Sequence, residues 1–64
     1  MQVYRLVAPR RMGRIPEGFE MMVYTYCNYC DVDDVKESLK RFGFTDDDSL
    51  SYASSGNWKC TRIK

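Results

Sequence analysis

Residues 31–44, Asp-Val-Asp-Asp-Val-Lys-Glu-Ser-Leu-Lys-Arg-Phe-Gly-Phe, hold a complete helix signal with both of its ends. Val32, Val35, Leu39 and Phe42 recur at spacings of three, four and three, so they share one face of a 3.6-residue period, while Asp33, Lys36, Glu37 and Lys40 point away. Asp31 is a suitable N-cap, and Asp33 and Asp34 sit where the helix dipole favours negative charge. Lys40 and Arg41 occupy the last turn, Gly43 offers a left-handed stop, and Phe44 is placed to fold back on the apolar face. The spacing predicts one helix from about residue 32 to 42.

The segments before it read as strands. Gln2 to Ala8 puts Tyr4, Leu6 and Ala8 on one side, and Phe19 to Tyr26 puts Phe19, Met21 and Val23 on one side. Pro9 to Gly18 reads as a polar loop, long for a simple hairpin, so the two strands need not be direct neighbours. After the helix, Thr45 to Asp48 reads as a turn, with Leu50 to Ser54 and Trp58 to Ile63 as strands joined through Ser55-Gly56-Asn57. The expected architecture is therefore α+β: a small, mainly antiparallel sheet in β-β-α-β-β order with one helix packed on one face. Its expected core is Tyr4, Leu6, Phe19, Met21, Val23, Val32, Val35, Leu39, Phe42, Phe44, Leu50 and Trp58.

Length and composition bound the rest. The 64 residues leave room for one core, so residues 1–64 are expected to form a single domain. A chain this short buries roughly 60% of its unfolded surface, which makes a partner or a staple valuable. With 44% hydrophobic and 30% charged residues it is too apolar for disorder and too polar for a membrane span. No apolar leader follows Met1, and three cysteines are an odd number for a disulfide scaffold, so free thiols, a cytoplasmic location and no membrane association are expected.

The sharpest local pattern is Cys27-Asn28-Tyr29-Cys30, between a strand and a helix start. Val23 to Cys30 locally resembles the strand and Cys-Pro-Tyr-Cys turn of glutaredoxins, which would imply dithiol redox chemistry at Cys27 and Cys30. This chain has no proline between the cysteines, and Asp31, Asp33 and Asp34 oppose a thiolate there. The same pair with Cys60 would make three thiolate ligands for zinc, with no histidine anywhere to supply a fourth. The leading expectation is no metal and no cofactor.

Charge suggests another class. Residues 1–14 carry Arg5, Arg10, Arg11 and Arg14 without an acid, residues 51–64 carry Lys59, Arg62 and Lys64 without an acid, and all nine acids lie between. If the two ends were neighbours in the sheet, Arg5, Arg10, Arg11, Arg14, Lys59 and Arg62 would merge into a basic surface for nucleic acid, with Tyr4, Tyr52 or Trp58 to stack on bases. A third class is a protein-interaction module, in which Tyr24 and Tyr26 lie opposite the core side of their strand and, with Met22 and Tyr29, form an amphipathic patch for a protein partner or a homo-oligomer. Enzymatic function has the least support: there is no histidine, no nucleophile motif and no phosphate-cradling loop. The reading that results is a small non-catalytic interaction domain, with nucleic-acid binding and a Cys-x-x-Cys redox or zinc site as alternatives.

Overall fold

The computed structural model describes residues 1–63. Its elements are β1 (Gln2–Val7), β2 (Glu20–Thr25), α1 (Val32–Arg41), a one-turn helix α2 (Asp47–Leu50), a 3-10 turn at Ser55–Asn57 and β3 (Lys59–Arg62). The three strands form one antiparallel sheet in the order β2-β1-β3, so the first strand is central and the last pairs beside it at the edge.

The chain is α+β, but three strands replace the four expected, and the order is β-β-α-α-β. The strand expected at Leu50 to Ser54 is absent. Asp46 ends in an extended conformation and its carboxylate accepts a hydrogen bond from the Ser49 amide at 3.0 Å, which caps α2 and turns the following residues away from a strand. The backbone then turns again through Ser55–Asn57, and the Trp58 indole donates to the Tyr52 carbonyl at 2.8 Å. Local capping bonds outweigh the weak alternation of Leu50, Tyr52 and Ser54.

β1 and β2 are direct neighbours, contrary to the expectation drawn from their long connection. Tyr4 pairs with Val23 and Leu6 with Met21, which places all four on the same, buried side. The connection itself is folded inward: Met12 and Ile15 exchange backbone hydrogen bonds at 2.9 Å, and both side chains are fully buried. Gly13 sits between them at φ +60, where an added Cβ would lie 3.1 Å from the Ser49 amide, the Ser49 hydroxyl and the Asp48 carboxylate. The Arg14 amide donates to that same Ser49 hydroxyl at 3.1 Å, so the loop is fastened to α2 through a fully buried serine.

Helix α1 ends as its residues foretell. The Phe44 amide bonds to the Leu39 carbonyl and the Gly43 amide to the Lys40 carbonyl, with Gly43 at φ 91, which is a Schellman closure. Val35 and Leu39 are fully buried. Val32 and Phe42, expected in the core, are 40% and 55% exposed; they are the first residue of the helix and its C-cap, and the buried apolar positions are those between them, Val35 and Leu39. Phe42 and Phe44 each meet Phe19 edge to face at 5.2 Å, forming a satellite cluster outside the main core. Ser38, also buried, donates to the Met22 carbonyl at 3.4 Å, so the helix covers the outer edge of β2.

Candidate functional site

The pleat of the sheet separates two faces. Tyr4, Leu6, Met21, Val23 and Thr25 are turned to the core side and are at most 8% exposed. The opposite face carries Val3, Arg5 and Val7 on β1, Glu20, Met22 and Tyr24 on β2, and Lys59 and Thr61 on β3. Its side chains are exposed except for Val3 and Val7, which are half-buried.

Register arranges it in rows. Val3 pairs with Tyr24, and the Ile63 amide donates to the Val3 carbonyl at 2.7 Å, so Tyr24, Val3 and Ile63 form an apolar row across the sheet. The next row is Met22, Arg5 and Thr61, and the one beyond is Glu20, Val7 and Lys59. Met22, Tyr24 and Ile63 are between 40% and 49% exposed. Tyr26 follows at the strand end with 83% of its surface in solvent.

Of the residues expected to bind a partner, Met22 and Tyr24 belong to this surface, and Tyr26 lies just beyond the end of β2. Tyr29 lies on the loop before α1, where the Cys27 thiol and the Asp31 carboxylate raise its hydroxyl pKa above the ordinary value. Val3 and Ile63, which complete the row, were not singled out from the sequence. Their signal was present: Val3 has the opposite parity to Tyr4 and Leu6 in the same strand.

The basic residues are divided among the open face, the opposite side of the sheet and the β1–β2 loop. Arg5 lies on the open face but pairs with Glu20 at 3.8 Å, an exposed contact of small energetic weight that still places an acid beside it. Lys59 shares that face, whereas Arg62 pairs with Tyr4 on the opposite side of the sheet. Arg10, Arg11 and Arg14 are on the loop; Arg11 donates to the Gly13 carbonyl, and Arg14 lies close enough to Asp46 to contribute to its lowered pKa, after the Ser49 hydrogen bond. Tyr4 and Trp58, expected to stack on bases, are buried, with the Tyr4 hydroxyl donating to the Asn28 carbonyl at 3.0 Å. Lys64 lies outside the described residues.

The three cysteines are not gathered as the Cys-x-x-Cys spacing suggested. Cys30 is buried, Cys60 is exposed and Cys27 is intermediate, all with free thiols. The groups that act on Cys30 are Cys60, Asp34 and Asp31, whereas the neighbour of Cys27 is Tyr29. Burial first, then the adjacent Cys60 thiol, pushes the Cys30 thiol up to about 12. Among the described residues no three cysteine or carboxylate side chains are grouped to hold a metal ion, so Cys27, Cys30 and Cys60 do not form the three-thiolate site considered from the sequence.

A shallow open depression of about 210 Å³, lined by Arg5, Glu20, Met21, Met22 and Phe42, lies at the β2 side of the face. It is smaller than the roughly 300–1,000 Å³ of typical small-molecule sites. No buried side-chain polar atom among the described residues lacks a partner, so the interior holds no polar group awaiting a ligand. No helix among them is long and apolar enough to cross a membrane. No family model matches this chain, and no curated protein or solved structure matches it either.

Proposed function

We propose that this chain is a non-catalytic interaction domain that binds protein, either a second copy or a different partner, through the open face of its sheet. The observation that carries this is the row Tyr24, Val3, Ile63 with Met22 beside it, an apolar band running from β2 over β1 to the residue after β3 in which Met22, Tyr24 and Ile63 are exposed. Such a band, next to a tyrosine that combines a large apolar ring with a polar tip, is the composition enriched at protein interfaces. The polar rows flanking it, with Arg5, Thr61, Glu20 and Lys59, supply the rim. The mixed charge of that rim, and the single aromatic ring within the rows, favour a protein over a nucleic-acid strand.

The test is a dilution series followed by amide NMR and sedimentation. Self-association predicts concentration-dependent shifts at Val3, Met22, Tyr24 and Ile63, abolished by Tyr24→Asp. If no shift moves with concentration, the partner is a different protein, and its retention by the immobilised chain must be lost with Tyr24→Asp and kept with Arg11→Glu/Arg14→Glu. Binding that ignores Tyr24→Asp and follows the arginines overturns the reading.

A further inference from the structure

The Cys30 and Cys60 thiols come from positions thirty residues apart in sequence, yet the fold makes them neighbours. Cys60 pairs with the fully buried Leu6, so its side chain lies on the core side of the sheet although its place on the edge strand leaves it exposed. Cys30 is a core residue at the end of the loop that crosses this side, held over β1 by the Tyr4 hydroxyl on the Asn28 carbonyl. One thiol is thus open to solvent and the other is packed behind it.

We infer that Cys30 and Cys60, rather than the sequence-adjacent Cys27 and Cys30, form a redox-sensitive dithiol that closes to a disulfide by exchange with a low-molecular-weight disulfide. The exposed Cys60 gives up its proton to solvent, and its thiolate attacks one sulfur of the reagent. That breaks the reagent's S–S bond, releases one thiolate and leaves a mixed disulfide on Cys60. Cys30 then loses its proton, attacks the Cys60 sulfur and expels the second reagent thiolate. One S–S bond is broken and one is formed; two electrons pass from the cysteine pair to the reagent, whose two thiolates take up the two protons. The product ties β3, an edge strand paired only with β1 and exposed at all four residues, to the residue that precedes the α1 N-cap. It also restrains the chain three residues before Ile63, the last residue of the apolar row.

Disulfide closure is independent of partner binding and is followed by mass and cross-link mapping. The native protein is treated with oxidised glutathione at pH 8, quenched with acid, alkylated and digested. The expected product has lost two hydrogens, carries a Cys30–Cys60 cross-link and has Cys27 alkylated. Cys27→Ser should form the same cross-link, and Cys60→Ser should form none. Closure of the mixed disulfide should accelerate about tenfold per pH unit while Cys30 stays mostly protonated. Amide exchange in β3 should slow on closure. A cross-link containing Cys27, a glutathione adduct on Cys60 that never closes, or no reaction at all would each overturn it.

Discussion

Both faces of the sheet carry apolar side chains, and these have different fates. On one, Leu6, Met21 and Val23 are sealed by Leu39 and Val35 of α1 and by Met12 and Ile15 of the loop. On the other, Val3, Met22, Tyr24 and Ile63 meet solvent. Apolar composition alone therefore does not mark the core of so small a protein. Coverage does, and one ten-residue helix with one folded loop can cover only one side.

The largest expected effect lies on the sealed face. Leu39→Ala should lower stability by about 2–5 kcal/mol, because a fully buried leucine leaves a cavity in the only substantial core among the described residues. Urea denaturation measures it, and a loss within 0.5 kcal/mol would mean that the helix does not seal this face as described. The second effect is alkaline. The Cys30 pKa is raised from the ordinary 9.0 to about 12, chiefly by burial, so the unfolded chain releases this proton first as pH rises. Stability should be present in full below about pH 9 and fall progressively as pH approaches 12. Tyr29, also raised, acts in the same direction from an exposed position. Denaturation midpoints at pH 8 and pH 10.5, for wild type and Cys30→Ala, check this: the variant should lose less between the two. The smallest effect on folding is expected on the open face. Tyr24→Asp should change stability by about 0.5 kcal/mol or less while removing binding. A loss comparable to that of Leu39→Ala would show that the face belongs to the folding core and not to an interface.

Much of this contrast was legible in the residues. The helix, its acidic start and the closure at Gly43 and Phe44 follow from positions within a turn of one another, and the structure reproduces each. The alternation in Gln2–Val7 and Glu20–Thr25 correctly divides core from surface. The segment after the helix was misread because Leu50, Tyr52 and Ser54 alternate weakly, whereas the Asp46 cap and the buried Ser49, which carry more energy, look in the sequence like an acidic turn. Met12 and Ile15 were hidden among prolines, glycines and arginines, where no periodicity exposes them.

The candidate surface divides in the same way. Met22 and Tyr24 could be taken from strand parity, but Val3 and Ile63 join them only through the register of β1 with its two neighbours. The Cys27 and Cys30 spacing drew attention to a pair that the fold does not make.

The sequence by itself determined the helix, its acidic first turn and its C-terminal closure, though the Asp31 side chain makes no capping hydrogen bond, and two strands and their inward sides, because each depends on residues a few positions apart and on side-chain chemistry that acts over one turn or one pleat. Only the tertiary structure decided that β1 is central, that the loop's Met12 and Ile15 complete the core, that one sheet face stays open and that Cys60 lies against Cys30. Those are contacts between distant positions, set by which surfaces the whole chain can bury together, and local spacing carries no record of them.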